Sequence, residues 1–206
     1  MHDNCPPQRR DEFDVAVVGA GSAGFSAAIT AAELGARVAL IGCGTIGGTC
    51  VNVGCVPSKT LIRAADAIHG GRAAGRFSGL GGSIGLEDWS ALATAKDELV
   101  AGLRQKKYAG LLPAYEGITY IEGKVHFAEG ALMVGDAPVQ AGKIILTMGA
   151  RAAVPQIRGL DRVPYLTSTT ALALDSLPNS LLVIGGGVIG VELGQMFARL
   201  GVAVTI

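Results

Sequence analysis

The hydrophobic pattern of the chain alternates between two kinds of segment. Short apolar runs rich in β-branched residues predict strands buried on both faces of a parallel sheet, at residues 13–18, 37–41, 143–150, 181–184 and 202–206. Alanine- and leucine-rich segments that end at a glycine predict helices at residues 26–34 and 191–200. The order strand, helix, strand at both ends of the chain predicts an α/β protein with parallel sheets.

The central part of the chain predicts two further helices. Pro57 fits a first helical position, and good helix-forming residues follow it to residue 69. Residues 70–85 are rich in glycine and are predicted to form a loop. Asp88 is suited to cap a long helix that continues to Tyr108.

After Gly117 the spacing of apolar residues changes from that of a helix to that of short strands. Glycine-containing turns separate short β-type runs, which predicts a small antiparallel meander with strands at residues 118–121, 124–127 and 131–134. Prolines punctuate residues 152–164 and mark an expected domain boundary. We therefore expect a first domain over residues 13–150 and a second over residues 151–206, after a polar, disordered leader at residues 1–12.

Both strand–helix units carry the spacing G-x-G-x-x-G where the strand ends. The first fingerprint (residues 19–24) has Gly19, Gly21 and Gly24, and the second (residues 185–190) has Gly185, Gly187 and Gly190. Such glycines allow a tight turn, the approach of a pyrophosphate and close helix–strand packing, so each fingerprint predicts a dinucleotide site. The carboxylate usually found at the end of the next strand, about 20 residues on, is missing at residues 41–44. We expect backbone or a water to replace its contact with the adenosine ribose.

Cys50 and Cys55 lie in a glycine-flanked stretch just before the helix predicted at Pro57. A helix N-terminus favours a thiolate, which makes Cys55 a candidate reactive thiol. On one regular helix the two side chains would point about 140° apart, so we expect Cys50 in an irregular turn, permitted by Gly47, Gly48 and Gly54. Three interpretations remain: a redox-active dithiol, a metal site that lacks two ligands, or two unrelated buried cysteines.

Composition narrows the class of protein. The 206 residues carry a formal net charge of +0, which gives no support to a nucleic acid or an anionic membrane as partner. Four cysteines are too few for the disulfide framework of a small secreted protein, and Cys-x4-Cys is more typical of a catalytic pair. No apolar stretch reaches the ~18–20 residues of a membrane span. We expect a soluble, cytoplasmic enzyme.

The stretch Gly-Gly-Thr-Cys-Val-Asn-Val-Gly-Cys-Val-Pro-Ser-Lys at residues 47–59, set between two fingerprints, resembles the FAD-dependent pyridine nucleotide–disulfide oxidoreductases. The resemblance covers residues 13–206. It implies a three-layer, Rossmann-like FAD-binding domain with a parallel sheet and a small antiparallel meander, followed by the start of a Rossmann-like NAD(P)-binding domain. Secondary stretches are most similar to the members of the family that reduce mercuric ion, at residues 44–46, 61–65, 104–108 and 165–169.

The resemblance implies how the cofactors are held. The glycines of the first fingerprint would bind the FAD pyrophosphate, Gly44 and Thr49 would line the flavin side, and the backbone of Val125 would contact the adenine end. The glycines of the second fingerprint would bind the pyrophosphate of NADPH. These assignments come from the family and not from the spacing of the residues.

It also implies the catalytic roles. Cys55 would be the thiol beside the isoalloxazine, and Cys50 the outer thiol that meets the substrate. Lys59 would lie near the flavin N5 edge, where a positive charge stabilises reduced, anionic flavin, and Glu192 would pair with Lys59.

The implied reaction passes electrons from NADPH through FAD to the Cys50–Cys55 pair and then to Hg(II), which both soft thiolates would bind transiently. The alternatives are a disulfide reductase of the dihydrolipoyl dehydrogenase or glutathione reductase type, and a non-catalytic FAD-binding remnant. Because the chain stops within the second strand of its second unit, we expect a fragment of a longer, homodimeric protein.

Overall fold

The computed structural model describes residues 12–206, so Cys5 and nearly all of the expected leader lie outside the described residues. The chain forms two compact units. Unit 1 takes in the chain up to Gly48 together with Gln105–Gly149, and unit 2 comprises Thr49–Arg104 and Ala150–Ile206. These units follow packing and not chain order, so the sequential division at residue 150 stays a prediction.

The strands of unit 1 are β1 Phe13–Val18, β2 Val38–Gly42, β3 Ile118–Glu122, β4 Val125–Ala128, β5 Ala131–Val134, β6 Ala137–Val139 and β7 Ala141–Leu146. They form a four-stranded parallel sheet in the order β3-β2-β1-β7 and a separate three-stranded antiparallel sheet in the order β4-β5-β6. Helix α1, Ser22–Glu33, connects β1 to β2. The predicted α/β architecture is confirmed.

The two faces of the parallel sheet bury different side chains. On one face Val17 and Leu40 pack against Phe25 and Ala28 of α1. On the other face Ala16, Val18 and Ile41 pack with Leu132 of the meander. Strands covered on both sides need apolar residues at every position, which explains the apolar runs at residues 15–18 of β1 and 38–41 of β2. Helix, sheet and meander form the expected three layers.

Two predictions about the strands of unit 1 are wrong. Residues 118–122 form β3, which pairs with β2 in the parallel sheet, so the meander begins at Val125 and gains β6 as its third strand. Strand β7 is a sheet edge and is not buried: Leu146 is 52% exposed, and β7 contributes no residue to the fully buried core of unit 1. An apolar run predicts a strand but does not specify its neighbours or which layer covers it.

Unit 2 is mainly helical. Its helices are α2 Gly48–Val53, which starts at the last residue of unit 1, α3 Cys55–Ala73, α4 Trp89–Arg104, α5 Ser168–Ala171 and α6 Val188–Arg199, and its parallel strands are β8 Ser180–Leu182 and β9 Ala203–Thr205. Leu61 of α3, Trp89 of α4 and Phe197 of α6 meet in one buried cluster. Among residues 12–206, no helix combines the length and apolar character needed to cross a membrane.

The helix boundaries in unit 2 differ from the prediction in two places. Helix α3 runs through Gly70 and Gly71 to Ala73, so the glycine-rich loop begins later than expected. Asp88 does cap α4, because its Oδ1 accepts a hydrogen bond from the Ala91 N–H at 3.1 Å. The regular helix ends at Arg104 and continues as one π-type turn. Helix α4 also holds the segment after α5, since the Lys96 ammonium donates to the Leu172 carbonyl at 2.9 Å.

Candidate redox site and dinucleotide-binding turns

The two motif cysteines are separated by a helix break at Gly54. Helix α2 ends at Val53 and α3 begins at Cys55, while Gly54 adopts φ −129° and ψ −113°. A Cβ on Gly54 would lie 2.9 Å from the Thr49 carbonyl oxygen and 3.3 Å from the Cys50 Cα. This close approach needs a glycine and places the start of α3 against the residue that carries the first thiol. The prediction that Cys50 lies in an irregular turn is wrong: Cys50 is helical, and the irregularity is at Gly54.

Cys55 is the first residue of α3, as the helix N-terminus prediction required. The Ser58 N–H makes the first helical hydrogen bond, to the Gly54 carbonyl at 3.0 Å. The helix therefore starts two residues before Pro57, which lies in the first turn, where its missing N–H breaks no helical bond. Cys50 and Cys55 are both exposed. An exposed thiol at a helix N-terminus has the environment of a reactive cysteine and not of a core residue.

A guanidinium lies close to the cysteine pair, which the sequence did not suggest. Arg104, the last residue of α4, donates from Nη1 to Asn52 Oδ1 at 3.1 Å. Asn52 belongs to α2 and lies between the two cysteines in sequence. Arg104 therefore places positive charge beside the short helix that carries Cys50.

Lys59 and Glu192 form the ion pair that the family resemblance implies. The Lys59 ammonium contacts Glu192 Oε1 and thereby joins α3 to α6. The two side chains are 56% and 45% exposed, so the pair contributes about 0–1 kcal/mol to stability. A second pair, Arg199 with Asp66, joins the same helices. Lys59 lies four residues after Cys55 and therefore on the same face of α3, one turn along.

Residues 12–206 contain no group of three or more His, Cys, Asp and Glu side chains arranged to hold a metal ion. Structural zinc sites in proteins use four such ligands.

The first fingerprint forms a compressed turn between β1 and α1. Gly19 has φ +118°, and a Cβ there would lie 2.2 Å from the Thr147 carbonyl oxygen. A Cβ on Gly24 would lie 1.7 Å from the Gly19 carbonyl oxygen. Helix α1 begins at Ser22, four residues before the predicted start, with Gly21 as its N-cap and with neither a side-chain cap nor an acidic residue in its first turn. Its N–H groups are therefore suited to an anion.

The side chain of Thr147 forms hydrogen bonds with this turn, a contact that the sequence did not predict. Its hydroxyl is 3.0 Å from the carbonyl oxygens of both Val18 and Gly19, the residues at which β1 ends. Its backbone N–H also donates to the Val18 carbonyl at 2.7 Å. The residue directly follows β7, so its only sequence signal is a hydroxyl at the carboxyl end of a strand.

The segment before the cysteines, at residues 47–48, is hydrogen-bonded to and packed against the same turn. The Gly47 N–H donates to the Ala20 carbonyl at 2.8 Å, and a Cβ on Gly48 would lie 2.7 Å from the Gly21 Cα. Gly44, at φ +82°, lies in open space before this contact. The other predicted cofactor residues are placed separately: Thr49 is exposed in α2, and Val125 begins β4 and packs against the meander core.

The second fingerprint forms a more open turn. Gly185 has φ +104° and Gly187 is the N-cap of α6, which has neither a side-chain cap nor an acidic residue in its first turn. A Cβ on Gly190 would lie 2.8 Å from the Gly185 carbonyl oxygen. Helix α6 starts at Val188, three residues before the prediction. Strand β8 ends at Leu182, two residues before the prediction, and Ile184 beyond it is 62% exposed.

Comparison with known proteins agrees with this arrangement. The profile of the family described as pyridine nucleotide-disulphide oxidoreductase matches residues 13–206. Mercuric reductase of Streptomyces lividans is 45% identical over 205 residues, and that of Lysinibacillus sphaericus is 46% identical over 197 residues. These alignments cover 97% and 95% of this chain but only 43% and 36% of the relatives, so the chain spans less than half of their length.

Solved structures give the same result. The HOCl-induced flavoprotein disulfide reductase RclA from Escherichia coli superposes with a TM-score of 0.78 at 34% identity, over 93% of this chain and 41% of that chain. The Cu(II) complex of the same protein superposes with a TM-score of 0.79. Since the family profile covers nearly the whole chain, including both fingerprints and the cysteine pair, this protein belongs to the pyridine nucleotide-disulphide oxidoreductase family.

Proposed function

We propose that the protein is an NADPH-dependent flavoprotein that reduces Hg(II) to Hg(0) at the Cys50–Cys55 pair. The observation that carries this proposal is the break at Gly54, where the residue before Cys55 packs against the Cα of Cys50 while both cysteines are exposed. Identity of 45–46% to proteins named mercuric reductase supports mercuric ion as the substrate.

The first fingerprint fits the pyrophosphate of FAD. Gly19 and Gly24 leave no room for side chains, and the uncapped start of α1 offers backbone N–H groups to a dianionic ligand. We assign Gly19, Gly21 and Gly24 to this contact. Gly44 and Thr49 on the flavin side, and Val125 at the adenine end, are further proposed contacts. When bound, FAD would supply two-electron transfer from NADPH to the cysteine pair.

The second fingerprint fits the pyrophosphate of NADPH because α6 begins without a side-chain cap or an acidic residue. Gly187 is the uncapped N-cap of α6, and Gly190 packs close enough to Gly185 to need a glycine. We assign these three glycines to the nicotinamide dinucleotide. The choice of NADPH over NADH rests on the relatives. In domain terms, residues 13–150 would bind FAD and residues 151–206 would begin the NAD(P)H-binding domain.

The residues around Cys50 and Cys55 set the chemical environment of the two thiols. Cys55 is the first residue of α3, and the Lys59 ammonium lies one turn along on the same face. Glu192 positions that ammonium through the α3–α6 ion pair. Cys50, held against Gly54, is the outer thiol that first meets the substrate. Two soft thiolates suit Hg(II), which would leave as Hg(0) after it accepts two electrons.

The test is anaerobic turnover by the protein expressed from its intact gene. We expect NADPH oxidation that depends on HgCl2 in the presence of excess small thiol, with mercury vapour released in a 1:1 ratio to NADPH. Cys50→Ser and Cys55→Ser should each abolish vapour release. Cys43→Ser is the matched control, because Cys43 is also exposed and lies outside the motif.

The same assay discriminates the alternative. Rapid oxidation of NADPH with lipoamide or glutathione disulfide, without mercury vapour, would contradict the proposal and favour a disulfide reductase. That alternative has support of its own, because RclA, a flavoprotein disulfide reductase, shares the fold at 34% identity.

We also infer a cytoplasmic homodimer. Reactive thiols that must be kept reduced are typical of the cytosol. Light scattering on the purified protein tests the dimer, and a mass equal to one chain would contradict it.

A further inference from the structure

The end of β2 lacks the carboxylate that normally holds a dinucleotide's adenosine ribose. Rossmann-type units place an Asp or Glu there, about 20 residues after the glycine fingerprint. In this chain the last residue of β2 is Gly42. If the first fingerprint binds FAD, another group must satisfy the ribose hydroxyls, because a bound polar group left without partners costs affinity.

The space above Gly42 is filled by a tyrosine. A Cβ on Gly42 would lie 2.7 Å from Tyr120 Oη and 2.8 Å from the Ala20 Cβ. Gly42 itself is buried. Ala20 belongs to the fingerprint turn, so the Tyr120 hydroxyl lies where the side chain of a β2 acid would begin, directly beside the pyrophosphate turn.

The register of β3 explains how the hydroxyl reaches this place. Tyr120 pairs with Leu40 and Glu122 pairs with Gly42 in the parallel ladder. Residues two apart on a strand share a face, so Tyr120 and Glu122 both lie on the face that α1 covers, and Glu122 is the last residue of the strand. Tyr120 packs there against the cluster around Phe25 and Leu40.

The hydroxyl of Tyr120 remains protonated under working conditions. Burial raises its pKa above the usual value, and the nearby carboxylate of Glu122 and the thiol of Cys43 add to the rise. A protonated phenol can donate as well as accept, whereas an ionised carboxylate only accepts. The two groups together offer one donor and several acceptors at the carboxyl edge of the sheet.

We propose that β3 supplies the ribose contact that β2 supplies elsewhere: the Tyr120 hydroxyl and the Glu122 carboxylate bind the adenosine ribose hydroxyls of FAD. The proposal rests on the assignment of FAD to the first fingerprint. It makes both residues determinants of dinucleotide affinity and gives neither a part in electron transfer.

The test is reconstitution of the flavin-free protein, with the dissociation constants for FAD and FMN measured by flavin fluorescence. Tyr120→Phe keeps the ring and should weaken FAD binding about 2- to 13-fold, the equivalent of one neutral hydrogen bond. Glu122→Gln should weaken it about tenfold or more, because its bonds are charge-assisted. FMN lacks the adenosine, so its affinity should not change. Glu116→Gln, an exposed position before the amino end of β3, is the matched control.

A FAD analogue with a 2′-deoxyadenosine locates the contact. The analogue should bind more weakly than FAD to the unmodified protein but equally to the Tyr120→Phe, Glu122→Gln double variant. Unchanged FAD affinity in both single variants would overturn the inference while leaving the FAD site intact. An equal loss of FMN affinity would also overturn it, since the residues would then act on the fold. Failure of the unmodified protein to bind FAD would instead overturn the proposed function.

Discussion

The two glycine fingerprints have the same spacing but different surroundings. In the first, Gly19 and Gly24 press against backbone atoms, and Thr147 and the Gly47–Gly48 segment pack on the turn. In the second, only Gly190 approaches backbone closely, while Gly185 and Gly187 face open space. A glycine in such a motif can thus be required by the fold, or be free for a ligand.

The difference affects how mutations should be interpreted. Loss of cofactor binding after substitution in the first turn cannot be separated from loss of structure, because the glycines there are part of the packing. In the second turn the two effects can be separated.

Gly24→Ala and Gly190→Ala place the same methyl group at equivalent positions of the two turns. The Cβ would lie 1.7 Å from a carbonyl oxygen at Gly24 and 2.8 Å from one at Gly190. We expect about 3 kcal/mol or more of destabilisation in the first case and about 1 kcal/mol in the second. Urea unfolding of the two variants measures the difference, and equal losses would show that the turns are equally tight.

Thr147→Val removes the hydroxyl that is shared between the Val18 and Gly19 carbonyls while keeping the shape of the side chain. We expect a loss of about 1–2 kcal/mol in unfolding free energy and weaker FAD binding. Thr119→Val, an exposed position of β3, is the control. If Thr147→Val unfolds like the unmodified protein, the hydroxyl does not hold the turn.

Gly187→Ala should leave stability unchanged to within about 0.5 kcal/mol, because its φ is −71° and no atom lies within 4 Å of an added Cβ. It should weaken NADPH binding about tenfold, since the backbone there must approach a pyrophosphate. Gly186→Ala, equally open and outside the three glycines of the motif, should bind NADPH normally. Equal affinity in both variants would remove Gly187 from the site.

The two strands that α1 connects are also joined near their amino ends. The Arg37 backbone N–H donates to Asp14 at 2.7 Å, and this bond, together with the Arg37 side chain, lowers the pKa of the Asp14 carboxyl below its usual 3.8. A carboxyl group whose pKa is lower in the folded than in the unfolded protein stabilises the fold at pH values above its unfolded-state pKa. This stabilisation is lost as the pH falls through the folded-state pKa. Asp14→Asn should therefore make the unfolding free energy less dependent on pH below about 4. An unchanged dependence in acid titration would contradict this.

The sequence predicted the elements that local pattern determines. Residues 15–18 of β1 and 38–41 of β2 are uninterrupted apolar runs, and Gly35 and Gly201 end their helices with φ of +88° and +103°. The placement of β3 beside β2 was missed, because strand pairing is set by contacts far apart in sequence. The helical state of Cys50 was missed because Gly48, Thr49, Asn52 and Val53 are weak helix formers, and tertiary contacts at Gly48 and Gly54 decide the geometry.

The candidate site shows the same division. The cysteines, the fingerprints, Lys59 and Glu192 could be named from motif and resemblance. Arg104 beside Asn52, Thr147 under Gly19 and Tyr120 over Gly42 could not, because each reaches its place from an element distant along the chain. Motifs identify groups that carry chemistry, whereas the residues that support them depend on the fold.

The most direct test of the account is a thiol count by differential alkylation and mass spectrometry. The protein is labelled before and after anaerobic reduction by NADPH in the presence of FAD. The account predicts that Cys50 and Cys55 become labelled together, one pair for each NADPH oxidised, while Cys43 is labelled equally in both states. Equal labelling of Cys50 and Cys55 before and after reduction would contradict a redox-active pair.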